Sequence, residues 1–222
     1  MDEHGPDRGG LPLHRSEALT DGIFAVAMTL LVIELKLPEH GLVHSDQLAG
    51  ALADLLPKAL SWALSFFVLA IFWIGHHRVF AGVRRTDGRL IALNLLQLAA
   101  VSLMPFSSAL SGEYGRVLLS QVVFSANMAL LGVSALLILN YVRRHPELGP
   151  APMPAALYRG ARLRIVGVIV VSAMAVAIGA FIPFPAMGNI AFMLMAVITP
   201  LSRRVERNAA RPPAPAARAS AR

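Results

Sequence analysis

The stretch Arg15-Ser-Glu-Ala-Leu-Thr-Asp-Gly-Ile-Phe-Ala-Val-Ala-Met-Thr-Leu-Leu-Val-Ile-Glu34 begins with three charges and a turn-like Thr-Asp-Gly, then runs apolar to Ile33. A bilayer crossing takes about 20 predominantly apolar residues as a helix, and Leu19–Leu37 supplies that length. Arg15 and Asp21 stand at its mouth, where charge is costly in lipid and marks function by default. The question posed by this segment is therefore what crosses a membrane, not which bond is broken.

The rest of the chain agrees. Hydrophobic residues make up 56% of 222 and charged residues only 15%, which is far from an ordinary soluble domain. With no cysteine, a disulfide scaffold, a thiolate metal site and a thiol nucleophile are all excluded. The net charge of +7 does not point to nucleic acid, because the arginines fall between apolar blocks instead of along one stripe. A cleaved secretory leader is not expected, since Asp2, Glu3 and Asp7 interrupt the positive n-region it needs.

Six spans are read: Leu19–Leu37, Leu56–Gly75, Leu90–Leu110, Val117–Val142, Leu163–Ile182 and Ala186–Leu201. Pro105 removes a backbone donor and should kink the third near its far end. Pro183, Phe184 and Pro185 make the last connection a tight hairpin. With the N terminus inside, 17 of the 20 lysines and arginines fall on the cytoplasmic side, leaving Lys36, Lys58 and Arg116 outside. The expected class is an all-α integral membrane protein of six transmembrane helices per subunit, N and C termini cytoplasmic, multi-pass in the cell membrane. Residues 1–12 read as a flexible segment, 13–205 as the membrane domain, and 206–222 as an Ala/Pro/Arg tail unsuited to packing.

At about 100° per residue, Gly22, Val26, Leu30, Ile33 and Leu37 fall along one stripe of the first helix, with Thr29 at its border. Asp21 lies about 140° from Val26 and should point into the bundle. By itself such a stripe can meet lipid, another helix or a pore.

Arg15-x-x-x-Leu19-Thr20-Asp21-Gly22 resembles the Arg-x-x-x-Phe-Ser-Asp signature opening the first helix of the transmembrane protein 175 potassium channels, bacterial members in particular. Phe72-Trp-Ile-Gly-His-His-Arg-Val-Phe80, Asn94 and Val101-Ser-Leu-Met-Pro-Phe106 are similar to further blocks of that family. The likeness is specific from Arg15 to about Leu110; Leu19 replaces the family's Phe and Thr20 its Ser. The resemblance implies a homotetramer conducting potassium ions passively through a central pore lined by the first helix, in a lipid bilayer. It implies an apolar constriction in place of a carbonyl filter, which by distance from the signature aspartate falls on Val26, Leu30 and Ile33. These are residues of the stripe drawn from the wheel, and the chain contains no Thr-Val-Gly-Tyr-Gly filter loop.

Thr29 and Glu34 are expected at the pore border, Glu34 either concentrating cations or pairing with Lys36 or Lys58. Arg15, Thr20, Asp21, Trp73, His77 and Asn94 are brought to one depth at the inner helix ends. There Asp21 is expected to accept hydrogen bonds from His77, Trp73 or Asn94, with Arg15 balancing its charge. Trp73 and His77 share a face at i, i+4, and His76 reads as an interfacial residue beside Arg78. Gln97, Gln121, Ser125, Asn127, Ser134 and Asn140 read as interhelical hydrogen bonds. No cofactor, metal or catalytic constellation is expected: adjacent His76 and His77 point about 100° apart and cannot share a metal on a regular helix. The alternative reading is a secondary transporter of a small solute or ion, although internal repeats and a polar midplane are missing from the sequence.

Overall fold

The computed structural model describes residues 13–37 and 44–181. Seven α-helices follow in chain order: α1 Leu13–Leu30, α2 Ser45–Asp54, α3 Leu56–Phe80, α4 Gly88–Ser102, α5 Met104–Glu113, α6 Leu118–Arg144 and α7 Ala155–Phe181. A 3₁₀ segment, Leu31–Glu34, prolongs α1, and another, Pro146–Leu148, follows α6. Among the described residues five helices are long and apolar enough to cross a membrane: Leu13–Glu34, Leu56–Phe80, Gly88–Glu113, Leu118–Arg144 and Ala155–Phe181. These take the place of the first five expected spans. The sixth, its hairpin and the tail lie outside the described residues.

The first span starts at Leu13, six residues ahead of expectation. Its polar opening is helical because Ser16 and Thr20 are buried against neighbouring helices, and the Thr20 hydroxyl donates to the Ser16 carbonyl at 2.9 Å. Short α2 was not anticipated; it has no buried residue, and the Gln47 side chain accepts from the His44 amide at 3.1 Å to start it. The kink expected at Pro105 is present as the break between α4 and α5. Proline offers no N–H to the Val101 carbonyl and its ring crowds that oxygen. The helix resumes with the Ser107 amide bonded to Leu103 O at 3.0 Å.

α6 and α7 approach tightly where Gly132 faces Ile169. A Cβ there would be 2.7 Å from the Ile169 Cγ1. Two apolar clusters form the core. One gathers Phe24, Leu69, Phe72, Leu98, Met104, Phe124 and Met128; the other, at the arginine-rich end, gathers Phe80, Leu90, Ile138, Leu139, Ala161 and Ile165. Lipid offers polar atoms no partners, and several find them inside the bundle. Ser65 donates to Ser108 at 2.9 Å and Asn127 to Ser107 at 3.0 Å.

The connections at the arginine-rich end are tied down. The Leu148 carbonyl accepts from the amides of Arg84 and Arg85 at 2.7 and 3.0 Å, docking one loop on the other. Asp87 caps α4 through Leu90 N at 2.7 Å and accepts from the Tyr141 hydroxyl at 2.5 Å. Burial opposes ionisation of Asp87. The bonds from Tyr141 and from the Leu90 and Arg89 amides outweigh it, holding the carboxyl below its ordinary pKa. A depressed carboxylate stabilises above its unfolded pKa and loses that contribution as pH falls through the folded value. Asp87→Ala should therefore cost about 1 kcal/mol near neutral pH, and the gap in melting temperature should narrow as pH falls below the ordinary aspartate value of about 3.9. Melting curves at both pH values test this; a gap unchanged in acid would contradict it.

Candidate functional site: the two faces of the first helix

Helix α1 divides cleanly. Ser16, Thr20, Phe24, Ala27 and Leu31, spaced three or four apart, are buried against the bundle. On another face Val26, Leu30 and Ile33 are 56, 42 and 53% exposed, and Gly22, Ala25 and Thr29 are exposed with them. A large apolar face turned out from its own subunit needs lipid or another copy to cover it. The Thr29 hydroxyl donates back to its own helix, at 3.0 Å from Ala25 O and 2.9 Å from Val26 O. Its remaining lone pairs are left as acceptors beside the apolar side chains.

Behind this face lies a polar tie. Asn94 is 2% exposed, and its amide nitrogen donates to Ser16 Oγ at 3.2 Å and Thr20 Oγ1 at 3.0 Å. Its oxygen lies 3.0 Å from His76 Nε2. An amide oxygen only accepts, so His76 carries its proton on Nε2 in this arrangement. His76 is buried and stacks on Phe80 with ring centroids 4.0 Å apart. One asparagine thus joins α1, α3 and α4.

The second cluster is nearer the surface. Trp73 Nε1 donates to Asp21 Oδ1 at 2.9 Å, and His77 Nε2 stands 3.7 Å from the same oxygen. That separation is too long for a hydrogen bond and short enough for an ion pair once the imidazole is protonated. Trp73 and His77 lie side by side with centroids 4.6 Å apart.

Several expectations are corrected. The single network is two clusters: Asn94 reaches Thr20 and Ser16 and does not bond Asp21. Asp21 is exposed and turned toward α3 rather than into the bundle. Arg15 is exposed, and among the described residues it forms no ion pair with Asp21. His76, read as interfacial, is the buried histidine of the tie. Its signal was in the sequence: the inward Phe72 and Phe80 stand four residues on either side of it. Lys58, considered as a partner of Glu34, is paired with Glu113. Among the other polar residues, Asn127 and Asn140 make interhelical bonds, whereas Ser134 bonds its own helix at Leu131 O. Gln97, Gln121 and Ser125 each keep a buried side-chain atom unpartnered among the described residues. Arg164, second residue of the fifth expected span, is buried within α7 and approaches α3 at Gly75. Among the described residues no three His, Cys, Asp or Glu side chains gather as metal ligands.

Residues 15–105, which hold α1, the tie and the Pro105 break, match the family described as endosomal/lysosomal potassium channel TMEM175. Over that region the chain is similar to the TMEM175 family. A protein named a potassium channel in Chamaesiphon minutus is 43% identical over 100 residues, covering 45% of this chain and 49% of the relative. Another so named in Streptomyces collinus is 41% identical over 106 residues, covering 46% and 48%. The aligned part of this chain spans about half the length of these curated relatives. The crystal structure of a lysosomal potassium-selective channel TMEM175 homolog from Chamaesiphon minutus superposes with a TM-score of 0.64 at 26% identity, covering 90% of this chain and 98% of that one. With its apolar helices, the chain is a multi-pass membrane protein.

Proposed function

We propose that this chain is a potassium channel of the TMEM175 kind in the cell membrane, conducting passively through a pore lined by α1 of four identical copies. The carrying observation is the outward-turned face of Val26, Leu30 and Ile33 on a helix whose opposite face is packed into the subunit. The names of the two bacterial relatives support potassium as the ion. On this reading residues 13–205 form a six-helix subunit with both termini cytoplasmic.

An apolar ring gives a cation no ligands, so permeation depends on width and wetting. Potassium holds its hydration shell less tightly than sodium does and loses less on passing a narrow wetted ring. Val26 makes the widest ring of the three by side-chain size. The Thr29 oxygens offer acceptors between the apolar levels, and Glu34 raises the cation concentration at the outer mouth. Asn94, Thr20 and Ser16 hold α1 from behind, while Asp21, Trp73 and His77 fix its inner end, with Arg15 beside them.

Purified protein in liposomes should carry potassium down its gradient faster than sodium, without saturating and without a coupled solute. Val26→Ala and Leu30→Ala should each raise sodium permeation relative to potassium, read as a shift in reversal potential. Unchanged reversal potentials in both would remove the apolar ring. Saturating flux coupled to a second solute would establish the secondary transporter instead.

A further inference from the structure

A small cavity of about 30 Å³ lies between α3, α4, α6 and α7. Its wall is mostly apolar, with Phe72, Ile138 and Ile165, but a polar side chain from each of three helices lines it as well. These are His76 of α3, Gln97 of α4 and Arg164 of α7, which are 6, 2 and 7% exposed. Gln97 Oε1 has no hydrogen-bond partner among the described residues. His76 gives its Nε2 proton to the Asn94 oxygen, which leaves Nδ1 as an acceptor. Arg164 is already engaged within the protein, and its guanidinium carries five N–H donors, so a single partner does not exhaust it.

We propose that this cavity binds one buried water molecule that bridges Gln97 and His76. A water needs at least about 10–15 Å³ and two to four polar partners, and the space meets both conditions. Gln97 Oε1 and His76 Nδ1 are acceptors, so the occupant must donate. Water supplies two O–H donors, one for each, and keeps lone pairs for a further N–H of Arg164. A halide would set lone pairs against both acceptors, and a cation would bring charge into a cavity lined by no Asp or Glu. Neither exclusion rests on the charge of Arg164. Through that residue the water extends the Asn94 tie from α1, α3 and α4 to α7.

The test is an experimental map of the full chain in detergent, fine enough to show ordered solvent. The expected result is a solvent peak within about 2.7–3.2 Å of both the Gln97 side-chain amide and His76 Nδ1. Gln97→Met keeps the length of the side chain and removes the acceptor, and it should lower the melting temperature by about 2–4 °C. Were the acceptor dry, the same change would raise the melting temperature, because it would remove an unsatisfied buried group. A wild-type map with nothing bound between Gln97 and His76, or a Gln97→Met protein melting at or above the parent, overturns the proposal. An anomalous peak in the cavity after exchange into bromide also overturns it, by identifying a halide as the occupant. The wild-type map decides the matter even if the variant fails to fold. Neither readout involves ion flux, so failure here leaves the channel reading untouched.

Discussion

Asn94→Leu should destabilise the protein by about 2–4 kcal/mol, because it removes three buried hydrogen bonds and leaves partners that cannot reach water. Leucine keeps much of the volume, so loss of packing is the smaller part. The His76 N–H would lose its acceptor among buried side chains, at about 1–3 kcal/mol. The Ser16 and Thr20 hydroxyls would each lose an interhelical donor, and such bonds in membranes average about 0.6 and reach about 1.7 kcal/mol. Thr20 suffers less than His76, since its own proton already goes to the Ser16 carbonyl. A thermal melt in detergent reads the loss. Because the orphaned imidazole carries the largest part, Asn94→Leu combined with His76→Phe should cost less than the two single variants added together. A wild-type melting temperature for Asn94→Leu would show that the tie contributes nothing.

Gly149→Ala should cost about 3 kcal/mol and open the arginine-rich end of the bundle. Gly149 has extended backbone with φ −135°, so its dihedrals suit alanine; the obstacle is space. A Cβ there would lie 2.0 Å from the Gly82 carbonyl oxygen. That neighbour is backbone and cannot swing aside as a side chain does, so the loops must part. Parting them strips Leu148 O of its bonds from the Arg84 and Arg85 amides, each worth about 1 kcal/mol net. It also lets water reach the buried Leu148 side chain, worth about 1.5–3 kcal/mol in full. Trypsin should then cut after Arg84 or Arg85 much faster than in the parent. Equal cleavage rates and an equal melting temperature would mean that the loops tolerate the methyl group.

Hydropathy and Pro105 carried most of the fold. Five long apolar runs leave little choice but to span, and a proline lacking its N–H must break a helix whatever surrounds it. The exposed stripe of α1 was equally legible, since helical geometry alone aligns Val26, Leu30 and Ile33. The side on which a polar residue finds its partner was not. His76 and His77 are adjacent and chemically identical, and only the packing of Phe72 and Phe80 turns the first inward. Asp21 and Thr20 are likewise neighbours on one turn, about 100° apart, and the rotational setting of α1 decides which of them Asn94 meets. Arg164 escaped notice because a charge at a span boundary reads as interfacial, whereas it is buried within α7 with its guanidinium beside Gly75 of α3. Loop docking through Leu148 had no sequence signal beyond a glycine among prolines.

The tighter winding of Leu31–Glu34 bears on how an ion would meet the upper end of α1. In an α-helix, residues three apart are offset by about 60° and about 4.5 Å along the axis. At three residues per turn they eclipse, separated by about 6 Å. Ile33 is thereby carried almost directly above Leu30. Assembled about a common axis, the two levels would stack as coaxial hoops instead of staggered ones. The corridor between them would run straight and be long enough to shelter one or two waters on the way.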